Sequence, residues 1–119
     1  MSLYQDNILD HYRNPRNFGS IKKPTNEGSA LNPTCGDSLH MDISVKHGTI
    51  SDVRFSGSGC AISQASASLL TEYIKGQDVE KARAIEPKTV FELLEVTLSP
   101  ARIKCGLLSL ETLKKALAY

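Results

Sequence analysis

Between Leu39 and Phe55 apolar and polar positions trade places with a period of two. Leu39, Met41, Ile43 and Val45 alternate with His40, Asp42, Ser44 and Lys46, the signature of a strand buried on one face only. After the glycine turn "KHGT", Ile50, Val53 and Phe55 carry a second strand, and the pair predicts an antiparallel hairpin whose loop is slightly longer than two residues. Elsewhere the period is helical. In "SLYQDNILDHYRNP" the residues Leu3, Tyr4, Ile8 and Tyr12 mark one face of an N-terminal helix, and Asn14-Pro15 ends it because a residue before proline avoids the helical region. Residues 17–32 are rich in Gly, Ser, Pro, Asn and Lys, which predicts an extended connection with one short strand near Ser29 to Leu31.

The C-terminal half reads as helices. "AISQASASLLTEYIKG" places Ile62, Leu69, Leu70 and Tyr73 on one face and supplies Gly76 as a stop. Its small residues Ala65, Ser66, Ala67 and Ser68 allow close approach to a sheet. Short helices follow in "DVEKARAI" and "KTVFELLEVT". After Ser99-Pro100 a last helix lines up Leu107, Leu110, Leu113 and Leu117. No repeat or low-complexity segment interrupts the pattern. The expected fold is α+β, a small antiparallel sheet covered by helices.

Composition narrows the function more than the fold. At 119 residues and 40% hydrophobic content, residues 1–119 are expected to form one domain with one site. A net charge of +1, from 14 basic and 13 acidic residues, leaves no electrostatic footprint for nucleic acid or an anionic membrane. With aromatics at 6% of the chain, base-stacking platforms are also excluded. No apolar run approaches the roughly 20 residues of a membrane span, and the N-terminus carries acids where a signal peptide is basic and then apolar. A cytoplasmic protein is expected.

Three cysteines, an odd number, argue against a disulfide framework and leave free thiols or metal ligands. A buried free cysteine is also an ordinary small core residue. On the predicted map, however, Cys35, Cys60 and Cys105 each fall at an edge between elements rather than on a periodic apolar face. Cys35 precedes the first strand of the hairpin, Cys60 starts a helix, and Cys105 is expected at the start of the last helix. Helix starts favour thiolates, because unpaired N–H groups and the helix dipole stabilise an anion.

The stretch "SGSGCAIS", residues 56–63, joins a strand to a helix and offers two readings, a phosphate cradle or a presented thiol. A phosphate loop would follow its last glycine with Lys and Ser/Thr, and the dinucleotide fingerprint needs a glycine where Ile62 stands. The thiol reading is the better one. In "NPTCGDS" a carboxylate, Asp37, follows Cys35 across Gly36, so both could face one ion, although Asn32, Pro33, Gly36 and Asp37 are also ordinary turn formers. Three thiols and one carboxylate form a set that zinc or an iron–sulfur cluster accepts. The spacing, about 24 and 44 intervening residues, matches no short zinc-finger pattern. His11, His40 and His47 read as surface residues or hydrogen-bond partners rather than ligands.

Four blocks, "ILDHYRNPRNFGS", "NPTCGD", "GSGCAISQASASLL" and "ARIKCGLLSLETLKKAL", resemble the U-type iron–sulfur cluster assembly proteins, the family of IscU, SufU and the N-terminal domain of NifU. The likeness runs from roughly residue 8 to residue 117 and takes in all three cysteines and Asp37. It implies an α+β domain with a three-stranded antiparallel sheet that takes sulfur from a cysteine desulfurase and assembles or transfers a [2Fe–2S] cluster to recipient apo iron–sulfur proteins. It also implies zinc binding at the same site. Carried over by position, the resemblance makes Cys35, Asp37, Cys60 and Cys105 the ligand set for cluster or metal.

Two departures separate the branches of that family. Lys104 stands before Cys105 where the IscU branch has histidine, and "LSPARIK" replaces that branch's chaperone-recognition motif. "ARIKC" is closer to SufU, whose members resemble zinc-dependent sulfur acceptors, yet the insertion usual in SufU before the last cysteine is missing. The resemblance to SufU makes Cys35 the first sulfur acceptor, and Asp37 is the expected exchangeable ligand because a carboxylate is a harder, weaker partner for a soft metal than thiolate. The implied function is a cluster assembly scaffold, with a zinc-dependent sulfurtransferase that holds persulfide but no cluster as the alternative. A purely structural zinc module is less consistent with a chain that already has a core, and a cysteine hydrolase lacks a paired histidine.

Overall fold

The apolar alternation of residues 39–55 becomes the centre of a three-stranded antiparallel sheet of order β1-β2-β3, formed by β1 (Asn26–Asn32), β2 (Asp37–Lys46) and β3 (Thr49–Ser58). The computed structural model describes residues 3–118, with side chains from Asp6 onward. Among the described residues there are five helices: α1 (Leu3–Arg13), α2 (Ala61–Ile74), α3 (Val79–Arg83), α4 (Pro87–Leu94) and α5 (Pro100–Ala116). None of them is long and apolar enough to cross a membrane.

The spacing of Ile50, Val53 and Phe55 departs from strict alternation, and a register shift between Ser44 and Val45 explains it. One extra residue enters β3 there, so Ile50 and Val53 both reach the core face and both are fully buried. The hairpin loop is tighter than its sequence suggests. Lys46 pairs with Thr49, leaving only His47 and Gly48 between the strands, with φ of 53° and 76°. Two left-handed residues make the type I′ turn whose twist matches the flanking strands.

The first strand is longer than the expected short piece at Ser29 to Leu31. It pairs with β2 from Asn26↔Ile43 to Asn32↔Asp37, because backbone pairing on β2 and cover from α5 do not need an apolar alternation of its own. Gly28 faces the C-terminal end of α5, where a Cβ would come within 2.4 Å of the Ala116 nitrogen. Helices α2 and α5 cover the face made by Leu39, Met41, Ile43, Val53 and Phe55, and contribute Leu70, Ile74, Leu108 and Leu113 to the same core, joined by Leu117 at the C-cap of α5.

The small residues of α2 are buried on more sides than a single stripe. Ser63 through Ser68 are all buried, whereas Tyr73, predicted on the apolar face, is 43% exposed. Ser66 donates its hydroxyl to the Gly106 carbonyl at 2.7 Å and so ties α2 to the second turn of α5. On α1 the inward positions are Ile8 and His11, while Tyr12 faces solvent; the side chains of Leu3 and Tyr4 lie outside the described residues.

Candidate metal centre

Three chain segments meet at one end of the sheet. The β1–β2 loop, residues 33–36, lies there, and so does the end of β3, since Ser38 pairs with Ser58. The third segment is the second turn of α5, held against α2 by the Ser66–Gly106 bond. Each brings a cysteine.

Cys35 sits exposed in the loop, where Gly36 adopts φ of 74° and returns the chain to β2. The Asn32 side-chain amide donates to Cys35 Sγ at 3.5 Å, while its carbonyl oxygen accepts the Thr34 N–H at 3.2 Å. Asn32 therefore both closes the loop and steadies the thiol. Cys105 Sγ lies 3.3 Å from Cys35 Sγ although 70 residues separate them. One ligand atom each from Cys35, Asp37 and Cys105 falls within 4.8 Å of the others.

Asp37, the first residue of β2, is only 3% exposed. Its carboxylate accepts the Cys60 N–H at 3.3 Å and the Ser63 hydroxyl at 3.0 Å. Cys60 is the N-cap of α2, so this carboxylate occupies the positive end of a 14-residue helix. The glycine before Cys60 permits the contact. A Cβ on Gly59 would stand 2.7 Å from both Asp37 Cγ and Ser63 Oγ.

Cys60 is the one predicted ligand outside the close trio. Its Sγ lies 3.7 Å from Ser63 Oγ, and its thiol adds to the forces that hold the Cys105 proton. As expected, it starts a helix.

Cys105 corrects the sequence reading. It is the sixth residue of α5 rather than its first, and it is buried among the inward-facing side chains. The helix-start argument for a thiolate therefore does not reach it. Burial, the hydrogen bond with Cys35 and the neighbouring Cys60 thiol push its pKa up from 9.0 to about 12. Without a cation Cys105 stays protonated at neutral pH. Cys105 would ionise on binding zinc or iron, whose positive charge would replace that proton. Three sulfurs and one carboxylate oxygen suit either metal, because thiolates are the soft ligands both accept.

Two participants were not singled out from the sequence as parts of the site. Asn32 had read only as a turn former. Ser63 stands three residues after Cys60, where an N3 side chain can reach back to the helix start, and that spacing was the available signal. His11 is buried, with Nδ1 2.7 Å from the Ser68 hydroxyl, and belongs to the α1–α2 contact, the satisfied partner that the sequence reading allowed.

Fold and site together define an α+β thiol centre, its cysteines supplied by a hairpin loop, a helix cap and a buried helix turn. The chain belongs to the NifU-like N-terminal domain family, whose profile matches residues 3–119. It is 40% identical over 119 residues to the iron–sulfur cluster assembly scaffold protein IscU of Haemophilus influenzae, covering 97% of this chain and 93% of that one. It is 36% identical to the zinc-dependent sulfurtransferase SufU of Bacillus subtilis, covering 98% of this chain and 90% of the relative. That match spans 137 positions, more than the 119 residues here, so SufU carries residues with no counterpart in this chain. The crystal structure of FiSufU, a candidate SUF-system scaffold of Fervidobacterium islandicum, has a TM-score of 0.78 at 28% identity and covers 94% of each chain.

Proposed function

We propose that this chain is an iron–sulfur cluster assembly scaffold, one domain over residues 1–119, which takes sulfur from a cysteine desulfurase and holds a transient [2Fe–2S] cluster on Cys35, Asp37, Cys60 and Cys105. The observation that carries this reading is the convergence of Cys35, Asp37 and Cys105 at one open end of the sheet, with Cys60 at the adjoining helix cap. Likeness to IscU over nearly the whole chain supports it.

Cys35 is the proposed sulfur acceptor, since it is exposed while Cys105 is buried. Its thiolate attacks the outer sulfur of a persulfide on the donor. A new S–S bond forms on Cys35, the donor's S–S bond breaks, and the donor cysteine leaves as thiolate. Asn32 holds the acceptor sulfur in place during the attack. Asp37 is the natural ligand to exchange, because its carboxylate already has alternative partners in Cys60 N–H and Ser63 and is the hardest of the four donors. The cluster is cargo, passed on to recipient apoproteins. Free thiols at an open site fit a reducing, cytoplasmic setting.

A second reading has a specific observation behind it. Lys104 before Cys105 and the likeness to SufU favour a zinc-dependent sulfurtransferase, in which zinc is held by the same four residues and no cluster forms.

Incubation with a cysteine desulfurase, cysteine and ferrous iron, followed by iron, zinc and acid-labile sulfide analysis, separates the two. A scaffold gains equal iron and sulfide with visible absorption, and loses both in each Cys→Ser variant. A zinc carrier stays colourless and gains only sulfur mass. Retention of full metal and sulfur uptake in all three Cys→Ser variants overturns both.

A further inference from the structure

The outer face of the sheet carries a second set of convergent donors, on the two strands that flank the Cys35 loop. Glu27 and Ser29 on β1 pair in register with Asp42 and His40 on β2. The period of two places these four on the face opposite Leu39, Met41 and Ile43. Glu27, His40 and Asp42 each offer a ligand atom within 4.8 Å of the other two, the same closeness at which Cys35, Asp37 and Cys105 meet.

The inner pair is oriented from outside the trio. His40 Nε2 lies 2.8 Å from Asp42 Oδ1. The other imidazole nitrogen, Nδ1, is 2.6 Å from Ser29 Oγ, and the other carboxylate oxygen, Oδ2, accepts the Ile21 N–H at 3.0 Å. Each of the two is thus held by its far atom while the near atoms face each other, with a Glu27 oxygen within 4.8 Å. Imidazole and carboxylate ligands are held in this way around bound metals, with a hydrogen bond on the atom away from the ion.

Charge points the same way. The Asp42 side chain is 7% exposed, and its partners are the His40 imidazole and the Ile21 N–H rather than a permanent cation. The cation registered opposite it, Arg54, makes its ion pair with Asp52 at 3.6 Å. Two carboxylates around one imidazole leave an excess of negative charge that a divalent cation neutralises. Tetrahedral zinc with bonds of about 2.0–2.1 Å sets its ligand atoms about 3.3 Å apart. The His40–Asp42 contact would need to widen by only about half an ångström to admit it. His40 is 35% exposed and Glu27 is exposed, so entry is open and water can complete the shell.

We propose that Glu27, His40 and Asp42 form a second cation site, separate from the thiols, that takes a divalent first-row metal of the zinc class. One nitrogen and two oxygens make it harder than the thiol site, so it discriminates against soft ions that cysteine would prefer.

The test uses zinc alone, titrated into the chain carrying Ser at positions 35, 60 and 105 and followed by calorimetry and by metal retained after dialysis. One zinc per chain is expected, with affinity falling tenfold or more in His40→Gln and in Asp42→Asn, and about tenfold in Ser29→Ala through loss of imidazole orientation. Should the triple Cys→Ser chain fail to fold, the otherwise unaltered chain decides, its zinc count dropping by one in His40→Gln with thiol reactivity unchanged. Absence of zinc binding in the folded triple variant overturns the proposal. So does an unchanged zinc count in His40→Gln. Because the readout is a stoichiometry tied to His40, it is independent of whether the thiols carry zinc or a cluster.

Discussion

Gly59 shows how much a single missing side chain can carry. Any Cβ there would enter the space where Asp37 and Ser63 meet, at 2.7 Å from both. Gly59→Ala is therefore expected to push the Asp37 carboxylate off the α2 cap, destabilise the fold by about 1–3 kcal/mol and reduce metal bound per chain. Thermal unfolding and elemental analysis on the same sample check both. His11 gives a residue-scale prediction about pH. Burial first, then the Arg16 charge, hold its pKa below the usual 6.5. The unfolded chain then takes up a proton that the folded chain refuses. The neutral imidazole's contribution is fully present above pH 6.5 and is lost as pH falls below that value toward the folded pKa. Denaturant titrations between neutral and acid pH should show stability declining in that window, and His11→Gln should flatten the decline.

The hairpin is where a prediction at the scale of an element belongs. Its two-residue turn puts a non-glycine residue, His47, at φ of 53°. Asn tolerates the left-handed region better than His, and Asn-Gly is the preferred type I′ pair. His47→Asn is expected to stabilise the domain by a few tenths of a kcal/mol to about 1 kcal/mol, leaving metal content unchanged, as read from the chemical-denaturation midpoint. Elements also show where periodicity stops being informative. The alternation in β2 and the leucines of α5 were legible because each element buries one face against the same core. Strand β1 was only partly legible, since "NEGSALN" owes its pairing to β2 rather than to its own pattern. The serines of α2 look polar in sequence but are buried, because close contacts with α1 and α5 leave room only for small side chains and supply their partners, as Ser66 finds Gly106 and Ser109.

At the scale of the molecule, the core and the thiol site are separable. The buried cluster draws on the sheet face and on helices α1 through α5 without using Cys35, Asp37 or Cys60. Removing metal with a chelator is therefore expected to leave the far-ultraviolet circular dichroism spectrum intact, while adding metal raises the Tm by linkage. Collapse of the spectrum on chelation would instead mark the metal as a structural staple.

The sequence by itself determined the α+β class, the central hairpin, the cysteine cap of α2 and the family resemblance. Those are local properties, set by the period of apolar positions, by turn chemistry and by motifs read over a few neighbouring residues. Only the tertiary structure decided that Cys35 and Cys105 stand 3.3 Å apart, that Cys105 is buried and reluctant to ionise, and that Asp37 caps a helix. It alone set Ser29, His40 and Asp42 in line on the outer face. These depend on loops closing over tens of residues and on which faces are shielded from water, and neither is written in the spacing of the residues themselves.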